Sequence, residues 1–179
     1  MAEFLWIFWS FSLLGWVLER LFAAVTRSPR RRRRCLLLLP LCPVYGLGMA
    51  AVLALPPSLR SGWPLYLWGG LTATSVEYIY HWWGETFLSV SFWDYTGVFG
   101  NLRGRVCLPF SLAWGLLLFP AVYLVTPPVL ALADRVPVGV TWWLLLAFTA
   151  DAVCSLRFLA VTHDLEALRA VIWPVSGDR

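Results

Sequence analysis

Two glutamates interrupt long apolar stretches of this sequence, and they are the residues best placed to do chemistry. Glu19 follows "LLGWVL", and Glu77 lies within "LTATSVEYIYHWW". A charged side chain inside a membrane span costs about 2.5–3.5 kcal/mol on insertion scales, so it usually faces a partner or a polar cavity. Both acids are therefore candidates for binding a cation or carrying a proton, and Glu77 is also a candidate general base.

The composition places these acids in a membrane protein. Of the 179 residues, 60% are hydrophobic and only 13% are charged, and the chain contains twelve tryptophans. A soluble domain has about 25% charged residues. We therefore predict a single integral membrane domain over residues 1–179, in a multi-pass protein of the cell membrane.

Five apolar segments are long enough to cross a bilayer as helices, which takes about 20 residues each. They cover about residues 4–24, 37–55, 64–83, 107–125 and 138–160. Pro56–Pro57 and Pro127–Pro128 predict breaks between segments, and prolines and glycines predict an irregular beginning to the second one. The predicted fold is an all-α, polytopic bundle of about five transmembrane helices.

The distribution of arginine predicts the orientation of this bundle. All 14 basic residues are arginines, and the predicted loops on one side hold eleven of them, whereas the other side has Arg60 and Arg135. Because basic residues concentrate in cytosolic loops, the amino terminus is predicted outside and the carboxyl terminus in the cytosol. The run "RSPRRRRR" is interpreted as a contact with anionic lipid headgroups, and no nucleic-acid partner is expected.

Helix geometry places the two acids at a similar depth. At 1.5 Å per residue, Glu19 and Glu77 lie roughly 7–9 Å inside the cytosolic ends of their spans. The segment "SFWDYTGVFGNLRGRVCLPF" follows the third span, and its glycines permit a partly re-entrant cytosolic loop that caps the same end. We predict that one polar pocket forms there, and its residues are Glu19, Tyr45, Glu77, Asp94, Tyr95, Asn101, Arg105 and Ser111.

Other reactive residue types lack the spacing of a known site. His81 is interpreted as an interfacial hydrogen-bonding residue, and Asp151 stays open as a pocket residue. The four cysteines form no CxxC pair and map to the predicted cytosolic side, so no disulfide is expected. No catalytic or phosphate-binding signature occurs, so catalytic residues and cofactors stay unassigned and no metal site is predicted. The four cysteines mentioned above are Cys35, Cys42, Cys107 and Cys154.

Four motifs of this sequence resemble the CmpB-like family of ABC-transporter type IV permeases. They are "LLGWVLE" (13–19), "CPVYGLG" (42–48), "VEY" (76–78) and "FWDYTGVFGNLRGRVCLPFSLAWG" (92–115). The resemblance covers about residues 10–125 and implies a membrane transport component. Before Cys42 the sequence reads "LPLCP" where the family usually reads "GPYCP". The residues that match the family pattern are Gly15, Trp16, Glu19, Pro40, Pro43, Tyr45, Gly46, Glu77, Trp93, Asp94, Tyr95, Asn101, Gly104, Arg105, Phe110, Ser111 and Trp114.

Three functional classes remain open at this point. A small permease, channel or transporter component would use the acidic pocket for a cation, a proton or a small polar solute. An integral membrane enzyme acting on a lipid or lipid-linked substrate would use Glu77 or Asp94 as a general base whose pKa is raised by desolvation. A structural subunit would use the acids only to pair with arginines.

The number of predicted spans bears on the partners. Five short spans are few for a conduit, so a homodimer or a partner membrane subunit is expected beside the membrane lipids.

Overall fold

The structure, a computed structural model, describes residues 1–26 and 35–170. The arginine run that the sequence assigns to lipid contact, Arg27 and Arg30 to Arg34, lies outside the described residues, as does Arg179. Within the described ranges the chain is helical, and its one β-type pairing is an isolated antiparallel bridge between Leu102 and Val106. The all-α prediction is confirmed.

The described helices follow one another with short connections. A single 3-10 turn, Pro57–Leu59, lies between the second and third helices. The helices are α1, Ala2–Thr26; α2, Pro43–Leu53; α3, 62–88; α4, Leu108–Ala133; α5, Val138–Thr162; and α6, Leu165–Ala170.

Three of these helices, α1, α4 and α5, are long and apolar enough to cross a membrane. α2 is apolar but has only 11 residues, which at 1.5 Å per residue is about 16 Å, well short of the roughly 30 Å hydrocarbon core. α3 is comparable in length to α1 but carries Glu77, His81 and Glu85. The membrane character of the fold is confirmed, and the five-span topology stays a prediction.

The predicted break at Pro127–Pro128 is wrong, because α4 continues through both prolines to Ala133. A π-helical turn, Ala121–Val125, directly precedes them. Proline lacks an N–H and crowds the preceding turn of a regular α-helix. The wider π turn relieves that crowding, and Thr126 Oγ1 donates to the oxygen of Ala121 at 2.8 Å, so the helix persists.

The segment before α2 is irregular, as predicted, and it is tied down by two long-range contacts. Asp151 on α5 accepts hydrogen bonds from the backbone N–H groups of Leu38 (3.1 Å) and Leu39 (2.9 Å). A disulfide joins Cys35 to Cys42, which corrects the expectation of free thiols. That expectation followed from the missing CxxC motif and from the predicted cytosolic location, whereas here a bend in the backbone brings together two cysteines seven positions apart.

The loop at 89–107 folds back against the helices, and several residues of its first part are buried whereas 99–103 are exposed. The partly re-entrant path that the sequence predicted stays a prediction. Val90, Phe92, Trp93 and Tyr95 are each no more than 5% exposed. They pack in one core cluster with Leu88 at the end of α3 and with residues of α5 and α6. This packing fixes the direction in which the loop presents Tyr95.

Candidate functional site

Glu77 lies on the buried face of α3, and its side chain is 1% exposed. Its carboxylate oxygens accept hydrogen bonds from two aromatic residues. Tyr95 O–H donates to Oε1 at 3.3 Å, and Trp114 Nε1–H donates to Oε2 at 2.8 Å. Because Tyr95 comes from the 89–107 loop and Trp114 from α4, one carboxylate connects three elements.

Glu19 on α1 accepts a hydrogen bond from the hydroxyl of Tyr45 on α2. This contact depends on Gly15, one turn earlier on the same face of α1, because a Cβ there would overlap the ring of Tyr45. Small residues allow such close helix approach in membrane proteins. The pair Gly15 and Glu19 therefore positions the Tyr45 side chain between α1 and α4.

The two aromatic donors contact each other. The rings of Tyr45 and Trp114 meet edge to face, with centroids 5.1 Å apart and an interplanar angle of 72°. Such aromatic pairs contribute about 0.5–1.5 kcal/mol beyond the area that they bury. Glu19 and Glu77 are thus linked through one aromatic pair, with each acid bonded to one ring.

Two cavities adjoin this aromatic pair. The larger, about 260 Å³, lies among α1, α2, α3 and α4 and has Glu77 in its wall. The smaller, about 180 Å³, has Glu19 in its wall. Four residues line both cavities and so form their partition: Leu18, Tyr45, Trp114 and Leu117.

Four of the eight predicted pocket residues come together here: Glu19, Tyr45, Glu77 and Tyr95. Of the other four, Arg105 pairs with side chains of α3, and the rest bond to the backbone of the 89–107 loop and its junction with α4. Asn101 donates to the oxygen of Val98 at 3.0 Å and accepts from the N–H of Gly104 at 3.2 Å. Ser111 Oγ donates to the oxygen of Cys107 at 3.0 Å.

Asp94 is exposed and caps a turn of the loop. Its Oδ1 accepts the backbone N–H of Thr96 at 2.8 Å. Hydrogen bonds from the Thr96 side chain and backbone lower the pKa of Asp94 below its ordinary value, because they stabilise the charged carboxylate. This is the opposite of the raised pKa expected for Asp94 as a buried general base.

Arg105 pairs with Glu85 and not with Glu19 or Glu77. Its Nε donates to Glu85 Oε2 at 2.7 Å, and its Nη1 donates to the hydroxyl of Tyr78 at 2.8 Å. The hydrogen bond to Glu85 raises the pKa of Arg105, so the guanidinium stays charged. Glu85 lies two turns beyond Glu77 on α3, and Arg105 bridges it to the hydroxyl of Tyr78.

His81 lies beside this ion pair. Its Nε2 is 3.1 Å from Glu85 Oε1 and 3.3 Å from Ser91 Oγ. The sequence predicted a hydrogen-bonding role for His81. In the described part of the chain, no group of three or more His, Cys, Asp or Glu side chains is arranged to hold a metal ion.

Two residues matter more than the sequence indicated. Trp114 matched the family pattern but was not assigned to the pocket, although its indole N–H makes a shorter hydrogen bond to Glu77 than the hydroxyl of Tyr95 does. The sequence left open whether Asp151 belongs to the pocket, and in the structure it accepts hydrogen bonds from backbone N–H groups 112 and 113 residues away in the chain. A tryptophan one helical turn after Ser111 was the available signal for Trp114, but no local pattern could have found the partner of Asp151.

A family model described as "Putative ABC-transporter type IV" matches residues 6–156. The chain belongs to this CmpB-like family. The match confirms the resemblance and extends it into α5. Every residue that lines either cavity falls within the matched CmpB-like region, as does Asp151. Neither the curated proteins nor the solved structures contain a significant match.

Proposed function

We propose that this chain is a permease-type subunit of a membrane transport system, and that the two cavities beside Tyr45 and Trp114 are its solute site. The observation that carries the proposal is the arrangement of one carboxylate in the wall of each cavity, with both acids joined through an aromatic pair. Membership of the CmpB-like family supports a transport role.

The chemistry of the walls suits a small solute with a polar or basic head. Electrostatic interactions are stronger in a water-poor interior than in bulk water, so a carboxylate there discriminates well between charged and neutral groups. Tyr45 and Trp114 hold Glu19 and Glu77 in place. A solute that contacts either ring can therefore alter the hydrogen bonding of both acids.

ATP-driven flux is the direct test. Membrane vesicles from cells that overproduce the chain would be energised with ATP and supplied with labelled amines, metal cations and neutral solutes. We expect Glu77→Gln to lower the flux of the transported solute by about tenfold or more, which corresponds to about 1.4 kcal/mol. Glu3→Gln removes an exposed acid at the start of α1 and should leave flux unchanged.

Flux that is identical in wild type, Glu77→Gln and vesicles without the chain would contradict the proposal. Thermal unfolding of purified Glu77→Gln serves as the control for folding, because a variant that unfolds early would lose flux for a structural reason. A transporter this small also requires a homodimer or a partner membrane subunit, which crosslinking in the same vesicles would detect.

The proposal includes the predicted topology: five spans in the cell membrane, with the amino terminus outside and the carboxyl terminus in the cytosol. α1, α4 and α5 are long and apolar enough for three spans, and α3 would supply a fourth. The fifth would be centred on α2, with segment 35–42 folded back at its beginning, since the Cα atoms of Cys35 and Cys42 are 5.1 Å apart. This orientation places Cys35 and Cys42 in the cytosol, where thiols are kept reduced. Their disulfide would then form only on oxidation.

Thiol labelling tests that orientation. In a Cys107→Ser, Cys154→Ser background, we expect Cys35 of unstressed cells to react with a membrane-permeant maleimide and not with an impermeant one, whereas Cys42 is too buried to be scored, at 3% exposed. If Cys35 resists the permeant reagent until a reductant is added, the disulfide is permanent and this end of the bundle faces the oxidising side. That result would reverse the predicted orientation.

A further inference from the structure

The wall of the larger cavity is apolar except at one end. Glu77, Tyr45 and Trp114 lie together at that end, and the rest of the wall consists of aliphatic, aromatic and small residues of α1 to α4. An apolar cavity of about 150 Å³ in a protein already accommodates benzene and stays free of water, and this one is about 260 Å³. The wall is therefore better suited to hydrocarbon than to a hydrated ion.

The cavity opens through the side of the bundle. Leu14 and Leu18 of α1 and Leu117 of α4 line the cavity and are also 45%, 38% and 43% exposed. Both helices are apolar enough to cross a membrane. Because the outer surface of such helices faces lipid chains, the rim of this opening meets the hydrocarbon of the bilayer.

The packing of α4 explains why an opening exists. Its segment Thr126–Ala133 packs against α1, whereas its segment Leu108–Pro120 packs mainly against α3. The two helices therefore lie closest at that end, and toward the other end the rings of Phe22 and Phe110 bridge them, with centroids 5.9 Å apart. The larger cavity lies between these two contacts.

One wall position shows open space directly. A Cβ built on Gly48 of α2 has no atom within 4 Å, although Gly48 itself is buried and lines the larger cavity. Gly46 on the same helix is different, because its Cβ would overlap the backbone oxygen of Phe8. Gly48 therefore marks a face of α2 that looks into the cavity.

From these observations we infer that the larger cavity receives the hydrocarbon chain of a single-chain membrane amphiphile, which enters sideways from the bilayer between α1 and α4. The polar head of the amphiphile lies at the Tyr45–Trp114 end, where the acids are, and its chain lies along the apolar wall toward Met49 and Val125. This inference rests on the proposed function and gives its solute a chemical class and a route of access.

Photolabelling in nanodiscs of defined phosphatidylcholine tests the inference. The probe is a long-chain primary amine with a diazirine in its tail, and the labelled peptides are mapped by mass spectrometry. We expect labels on the walls of the larger cavity, and we expect unlabelled long-chain amine to compete. A short-chain amine, which has the head without the tail, should not compete.

Gly48→Leu fills the cavity from α2 and should lower labelling of the cavity walls by about tenfold. Ala73→Leu, which fills it from α3, provides a second variant if Gly48→Leu is unstable. The matched control is Gly139→Leu, because Gly139 also has open space around its Cβ and lies outside the cavity at the start of α5. The control should label as the wild type does.

Labelling that is unchanged in both filling variants, or that occurs only on the outer faces of the helices, would overturn the inference. Labelling of the cavity walls that unlabelled long-chain amine does not reduce would also overturn it, since the probe would then occupy no saturable site. ATP-driven flux separates this inference from the proposed function. If Gly48→Leu still transports a solute without a tail, the chain-binding inference is wrong and the transport function stands. If the cavity is labelled but no flux is detected, the chain-binding inference stands and the transport function is wrong.

Discussion

Two regions along α3 use their acids differently, although both contain a glutamate and an aromatic hydroxyl. Around Glu77, the hydrogen bonds come from aromatic side chains at the edge of open cavities. Around Glu85, the acid is paired with Arg105 and lies against His81, next to a loop that packs into the core. The first region combines charge with space, whereas the second combines charge with a cation and closely packed backbone.

The difference between the two acids is therefore the open space beside Glu77 and the cation beside Glu85. Arg105 neutralises Glu85 and ties the loop to α3, which is a structural use. Glu77 joins three elements but also lines a cavity. Substitutions in the Glu85 region should therefore change folding more than transport, and most substitutions near Glu77 should do the reverse.

The largest effect on stability is expected in the cavity region, where a glycine holds the helices together. Gly15→Ala places a Cβ on the ring of Tyr45, close to the backbone of α2, where the ring cannot simply rotate away. Overpacking of this kind costs about 1–3 kcal/mol. Thermal unfolding in detergent should show a lower midpoint, and the hydrogen bond between Tyr45 and Glu19 should be lost.

Gly48→Ala is the matched control for this substitution, since its new methyl group enters open space. It should leave the unfolding midpoint close to that of the wild type. An equal loss of stability in both variants would mean that helix flexibility, and not the contact with Tyr45, is the reason for glycine at position 15.

A smaller effect is expected from Arg105→Gln in the Glu85 region. The change removes an ion pair that is partly exposed to solvent and a hydrogen bond to Tyr78, so we expect the unfolding midpoint to fall by less than it does in Gly15→Ala, because solvent screens the pair. Arg135→Gln, at an exposed position, is the control. If Arg105→Gln abolishes flux while the unfolding midpoint stays unchanged, the division between the two regions is wrong.

The smallest effect concerns the pH dependence of the loop. Hydrogen bonds from Thr96 hold the pKa of Asp94 below its ordinary value of 3.8 in the folded protein, so the unfolded chain binds a proton more readily. The stabilisation by Asp94 is therefore present above the ordinary pKa and is lost as the pH falls through the lower folded-state pKa. Asp94→Asn should therefore reduce the loss of unfolding free energy at acidic pH (the acid limb of the stability curve) by no more than about 0.5 kcal/mol, because Asp94 is exposed and solvent screens its interactions.

Unfolding midpoints of wild type and Asp94→Asn between neutral and acidic pH would measure this difference. Identical acid limbs in the two proteins would show that the Asp94 cap does not form in solution. Flux should not change in Asp94→Asn at neutral pH, because Asp94 is exposed and lies outside both cavities.

Local patterns in the sequence predicted the positions of the helices better than they predicted which side chains contact each other. The apolar runs located α1, α4 and α5, and the prolines before α2 indicated its irregular beginning. The end of α4 was missed because a π turn accommodates Pro127 and Pro128. Proline rules describe regular helices, and a single widened turn is enough to change their outcome.

The sequence by itself determined that this is a helical membrane protein of the CmpB-like family with two acids inside it, because hydropathy and family motifs are properties of residues in chain order. Only the tertiary structure decided that Arg105 pairs with Glu85, that Asp151 caps Leu38 and Leu39, and that Cys35 meets Cys42. Each of these contacts requires two groups within a few ångströms, and the sequence offered several partners of equal chemistry. The packing of the loop and of α4 determined which partner came within reach, and it left an open cavity beside Glu77.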